Sequence, residues 1–221
     1  MMYHLFDHMV KQEINKRAQA LLDAAEQILE KDGISGLSAR NVADRAKVNK
    51  GLVFYYWGST NGLFEEVLKR YYERHKASLM IAFELPGSLR ERVHRVLDDY
   101  LNFMEHNRTY ARIVQEQVSG GGELLPLVRT HLREVLQLIA GMLDEVTPAT
   151  GPLNTKHFYL SISGVVVNYF TYGPVLGKAF WGREPLGRKA LAERREHVHW
   201  IVDAWLDRLL AMPSQPETAP G

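Results

Sequence analysis

Cysteine is absent from the 221 residues, which excludes disulfides and thiolate metal sites. No apolar run approaches the length of a membrane-spanning helix. The first residues, Met1 to Val10, hold His4, Asp7 and His8 and lack the basic start and apolar core of a signal peptide. These features point to the cytoplasm. Neither sign of charge dominates: 27 Lys and Arg face 26 Asp and Glu. No Gly-x-Ser-x-Gly, His-Glu-x-x-His or Walker-type loop occurs, so an enzyme has no motif to rest on and no cofactor is implied. His197 and His199 stand beside Glu193 and Glu196, but residues two apart do not share a helix face, so no metal site is expected. No internal repeat and no strand pattern is visible. What remains is ordinary globular material, 46% apolar and 24% charged, long enough to bury a core.

The most informative stretch runs from Ser38 to Trp57. Ser38 suits an N-cap, since its hydroxyl can accept from a free amide of the first turn. A short helix follows with Val42, Ala43 and Ala46 as its small apolar face. Lys47 and Val48 make a turn. Asn49 then caps a second short helix, Lys50 to Tyr56. Val53 and Trp57 lie four apart and face inward together. Leu52, Phe54, Tyr55 and Tyr56 cannot all follow them, so some of these large side chains need a partner outside. A DNA major groove is such a partner, because it admits one helix and offers phosphates on both walls. Between Arg40 and Lys50 the cations Arg40, Arg45, Lys47 and Lys50 meet one anion, Asp44, in a chain otherwise near balance. Charge, two capped short helices and a polar-aromatic second helix together read as a helix-turn-helix.

The same residues carry a family resemblance. Leu21-Leu22-Asp23-Ala24-Ala25, Gly33, Leu37 to Ala43, Val48 to Trp57 and Leu63-Phe64 resemble the tetracycline-repressor (TetR) family of transcriptional regulators, over about residues 14–74. The resemblance implies an all-α fold of about nine helices: a three-helix DNA-binding head on a larger helical body that binds ligand and dimerises. It places the residues expected at the DNA at Ser38, Arg40, Lys47, Asn49, Lys50, Gly51, Leu52, Phe54, Tyr55, Tyr56 and Thr60. Lys50, Gly51 and Leu52 match base-facing positions, and Phe54 and Tyr56 match phosphate contacts. Four residues depart from the family pattern. Lys47 stands where a turn glycine is usual, at about 1 kcal/mol for a left-handed residue with a side chain. Leu52 replaces a small or hydroxyl residue, Phe54 a tyrosine, and Thr60 a lysine.

The expected organisation is an arm over 1–12, the DNA-binding domain over 13–75, a ligand-binding and dimerisation domain over 76–212, and a disordered Pro-, Ser- and Thr-rich tail over 213–221. Ile14, Ala18, Leu21, Ala25 and Ile28 form one helical stripe, ended at Gly33. A fourth helix from Asn61 to about Phe83 is shared by the two halves and is a mechanical link between them. Leu85-Pro86-Gly87 marks a boundary. Helices follow over 89–106, 108–118, 124–146, 154–172 and 188–212, and Ser119 to Gly122 reads as a connector.

The helix from Asn154 is apolar nearly all round, so it needs cover on several sides. With the last helix it is expected to pair with a second copy in a two-fold dimer, through Val165, Val198, Ile201, Val202, Trp205 and Leu209. A mostly apolar pocket for a small organic effector is expected among Tyr100, Phe103, Met104, Tyr110, Phe158, Tyr169 and Tyr172, with Gln115, His131, Ser163 and Asn168 as polar fixtures. The function expected is that of a repressor released from a palindromic double-stranded operator by the effector. An architectural DNA-binding dimer without an effector, or a helical small-molecule enzyme, is the alternative; salt-dependent binding to the chain's own upstream DNA separates the last from the others.

Overall fold

The structure, a computed structural model, describes residues 2–144 and 146–211, with side chains described from residue 16 onward. The tail expected to be disordered over 213–221 lies outside the described residues, as do the side chains of the N-terminal arm. Among the described residues there are nine α-helices and no strand. They are α1 Met2–Asp32, α2 Ala39–Ala46, α3 Gly51–Trp57, α4 Thr60–Glu84, α5 Leu89–His106, α6 Arg108–Gly120, α7 Leu125–Leu143, α8 Thr155–Trp181 and α9 Arg188–Leu210. The chain divides between Arg74 and His75 into two compact units. That division falls inside α4, ahead of Leu85-Pro86-Gly87.

In the first unit α1 packs on α2 and α3 through a core of Leu21, Ala25, Leu29, Val42 and Val53, joined by Leu63, Val67 and Leu68 of α4. α1 begins at Met2 rather than near Glu13. It ends at Gly33, whose φ of 71° and ψ of −168° lie in a region essentially reserved for glycine, and not in the left-handed helical well of a common C-cap. Arg70 and Arg74 on α4 each reach Glu26 on α1, at 3.5 and 2.8 Å, and Arg70 also holds Asp23 at 2.8 Å. Burial raises the Glu26 carboxyl above its ordinary value, against the pull of both arginines.

In the second unit α5, α6, α7, α8 and α9 pack around Val93, Leu97, Leu101, Ile113, Val128, Val135, Val166 and Leu206. A capping box starts α5: the Ser88 hydroxyl accepts from the Glu91 amide, and the Glu91 carboxylate accepts from the Ser88 amide at 2.7 Å. α6 runs through Ser119 to Gly120, and Gly121 caps it in the left-handed region. α8 continues past Pro174 to Trp181, interrupted by non-helical Gly177. A chain of side chains ties α5 to α9. His94 Nε2 meets Asp203 and His199 Nε2 meets Asp98, both at 2.8 Å, and the two Nδ1 atoms face each other at 3.2 Å.

Within a single chain the expected pairing residues are buried or half-buried. Val198, Val202 and Leu209 are fully covered within a single chain, at the spacing that turns them onto one inward face with Leu206. Trp205 is half-buried and stacks on Phe158 with ring centres 4.0 Å apart. Val165 and Ile201 are half-buried. The apolar side chains left outward are others: Leu160, Tyr172, Val175, Leu176 and Phe180 on α8, and Trp200 and Leu210 on α9.

Candidate nucleic-acid interface and cavity

The Ser38 hydroxyl accepts from the Asn41 amide at 3.1 Å and starts α2. Lys47 ends it at φ 56°, ψ 41°, the only positive-φ residue other than glycine among the described residues. Its amide donates back to Ala43 and Asp44. The left-handed turn swings the chain so that Val48 and Asn49 lead straight into α3. There the Asn49 side-chain oxygen accepts from the Gly51 amide at 2.8 Å. Ser38 and Asn49, both expected at the DNA, therefore have their acceptors engaged in shaping the two helices. Lys47→Gly is expected to relieve the left-handed strain and raise stability by up to about 1 kcal/mol, less the entropy that glycine adds to the unfolded chain. Thermal unfolding checks this, and a lower melting temperature would show the turn is not strained.

Val53 is the one fully buried residue of α3, and Trp57 is half-buried behind it. Phe54 is 51% and Tyr55 72% exposed, so two large aromatics stand in solvent. Tyr56 is half-buried, edge-on to Tyr55 at 5.1 Å and to Trp57 at 5.4 Å. Leu52 and Thr60 are also half-buried. Arg40, Arg45, Lys47, Lys50 and Gly51 are exposed around them. Among the described residues Arg40 pairs with Asp44 at 3.8 Å, a loose exposed pair of little energetic weight. Three positioning residues escaped the sequence reading. Asn41 donates to the Gly36 carbonyl at 2.9 Å, and the Ser59 hydroxyl accepts from the Gly62 amide at 2.9 Å to start α4. A Cβ at Gly62 would lie 2.2 Å from the Trp57 carbonyl oxygen, so only glycine lets α4 begin this close to the end of α3. A serine three residues before that glycine was the available signal.

A continuous exposed surface thus carries four cations and two aromatics on two short helices joined by a tight turn. Residues 21–67, the segment that builds it, match the family model described as bacterial regulatory proteins, tetR family. Over this segment the chain is similar to that family. The chain is 26% identical over 125 residues to a probable HTH-type transcriptional regulator, YttP, of Bacillus subtilis, covering 54% of this chain and 60% of the relative. It is 27% identical over 132 residues to the HTH-type transcriptional repressor NicS of Pseudomonas putida, covering 53% and 62%. These matches span less than two thirds of either relative. A transcriptional regulator from Rhodococcus sp. Rha1 shares the fold, with a TM-score of 0.67 and 18% identity over 89% of this chain and 99% of that one.

The second unit holds a cavity of about 70 Å³. Of the residues the sequence suggests for a pocket, Tyr100, Tyr110, His131, Phe158 and Ser163 line it. The other six expected residues do not. Phe103 backs the ring of His75 with centres 4.3 Å apart, and Met104 is buried in the core. Gln115 and Asn168 meet each other at 3.5 Å. The Tyr169 hydroxyl donates to the Pro185 carbonyl at 2.5 Å, with the Arg194 guanidinium over its ring, and Tyr172 is exposed. A helix wheel says that an aromatic faces inward; it does not say which of several inward gaps it fills. His75, Tyr159 and Val202 are lining residues the sequence reading missed.

His75 and His131, both buried, meet Nδ1 to Nε2 at 3.2 Å. Burial, with His131 alongside, pushes His75 down to about 3. Burial pushes His131 down to about 4, with Glu134 opposing and Lys76 reinforcing the shift. Both rings are therefore neutral near neutral pH. Burial lifts the Tyr100 phenol to about 12, opposed by its hydrogen bond with Ser163.

Proposed function

We propose that this protein is a DNA-binding transcriptional regulator that acts as a homodimer on a two-fold operator, and that it is a repressor released by a small organic effector. The observation that carries the DNA reading is α3 itself: a short helix set by a tight turn, with Phe54 and Tyr55 in solvent among Arg40, Arg45, Lys47 and Lys50. Aromatics and cations so placed suit a groove floor and its phosphate walls. The dimer reading rests on Leu160 and Trp200, each 66% exposed, on the two helices at the end of the described chain. Such large apolar surfaces in water mark an interaction site. Two recognition helices related by a two-fold axis reach successive major grooves when roughly 34–36 Å apart.

The effector reading rests on the cavity of the second unit. An effector that prefers the state with lower operator affinity must be weakened by operator to the same extent. A tight ligand whose affinity is unchanged by operator would remove the switch and leave DNA binding intact.

The direct test is fluorescence anisotropy with DNA from upstream of the chain's own gene, across a salt series. Lys50→Ala should weaken binding and lower the salt slope by about one while leaving the melting temperature in place. Binding that ignores salt, or a Lys50→Ala protein that binds like wild type, would defeat the placement of α3 in a groove.

A further inference from the structure

Among the described residues that line the cavity of the second unit, none is Asp, Glu, Lys or Arg. Lys76 and Glu134, paired at 3.0 Å, act on His131 in opposite directions. A charged ligand entering this space would lose its water and meet no counter-charge, which disfavours it strongly. The walls are otherwise aliphatic and aromatic, among them Leu97, Val135, Ile139 and Phe158.

The His75 ring leaves a polar atom there unanswered. The His75 ring is held on one face by Phe103, and its Nδ1 is taken by His131. Its Nε2 is buried and has no hydrogen-bond partner. Other polar groups of the lining are engaged: the Tyr159 hydroxyl donates to the Leu132 carbonyl at 3.4 Å, and Ser163 hydrogen-bonds Tyr100. A buried polar atom left unpaired is costly, so a ligand that completes it binds better for doing so. The neutral pair has two arrangements, with the shared proton on either ring, and Nε2 is an acceptor in one and a donor in the other. A hydroxyl serves both. A carbonyl or an ether serves only one.

We propose that the cavity takes an uncharged ring alcohol or phenol whose hydroxyl meets His75 Nε2; this rests on the effector reading above and names its ligand class. The cavity as it stands, about 70 Å³, is about half of the roughly 150 Å³ of an apolar cavity that takes a benzene ring. A ring therefore enters by moving wall residues, for which the unbranched Met142 is suited.

The test uses the full chain near neutral pH and four probes of one shape: para-cresol, toluene, para-toluate and para-methylbenzylamine. By calorimetry, para-cresol should bind about tenfold more tightly than toluene, and the two charged probes should show no saturable binding. Imidazole nitrogen NMR of the unmodified protein should show the His75 Nε2 signal moving with para-cresol and not with toluene. In His75→Leu the preference for para-cresol should shrink to within about threefold while toluene still binds. Charged probes binding as tightly as para-cresol, a para-cresol shift confined to other histidines, or no binding by any probe would each overturn the proposal. The upstream-DNA assay on the same preparation tells the failures apart. Salt-dependent DNA binding that persists leaves the regulator standing without this ligand class, and its loss removes the regulator reading itself.

Discussion

Val202→Glu is expected to unfold the second unit, whereas Trp200→Glu should leave it folded and separate the protomers of the proposed dimer. The two residues are two apart on α9 and face opposite ways. Val202 has no exposed surface and borders the cavity, so a carboxylate there is stripped of water among aliphatic neighbours. An unpaired buried charge costs on the order of 4 kcal/mol, a large share of a domain's stability. Trp200 is 66% exposed and stacks on His197, with ring centres 6.0 Å apart, so its replacement removes little from the fold. Thermal unfolding followed by circular dichroism reads the first effect, and sedimentation at low micromolar concentration reads the second. A Trp200→Glu protein that sediments like wild type would place the pairing surface elsewhere, and a Val202→Glu protein of normal stability would contradict its burial.

The His75–His131 pair should make the protein acid-sensitive well above the range where carboxylates titrate. Both folded values lie below the ordinary value of 6.5, at about 3 and about 4. The unfolded chain therefore takes up protons below about pH 6.5 that the folded chain refuses, and stability falls as pH falls through that window. Each ring contributes about 1.4 kcal/mol of loss per pH unit below its unfolded value, so the pair accounts for nearly 3 kcal/mol at about pH 5.5. The loss continues until the folded rings protonate near pH 4 and 3. Chemical denaturation at about pH 7.5 and 5.5 measures it. His75→Phe, which keeps the stack on Phe103, should remove about half of the pH dependence. If the variant and the wild type lose the same stability between the two conditions, the histidines are not titrating as their burial requires.

The helix-turn-helix was legible because its signals are local. Ser38 caps α2 through an amide three residues on, and Lys47 and Val48 do make the turn, with Lys47 in the left-handed region that its place in the motif demanded. The end of α8 was not legible: Pro174 reads as a stop, but the helix continues to Trp181 because the break falls later, at Gly177. The pocket set was half legible, since an inward aromatic at helical spacing has several gaps open to it. Phe103 went behind His75 and Tyr169 went to the Pro185 carbonyl.

By itself the sequence determined the helical content, the short capped pair of helices with its cations and aromatics, and an apolar chain end too rich for one helix face. Each of these depends on contacts within a few residues, where spacing and side-chain chemistry act directly. Only the tertiary structure decided which face of α9 turns inward, because Val198, Val202 and Leu209 compete with Trp200 and Leu210 for cover and only packing against other helices chooses. It also decided that two histidines 56 residues apart share one hydrogen bond in the wall of a mostly apolar cavity, a pairing no periodicity in either helix encodes.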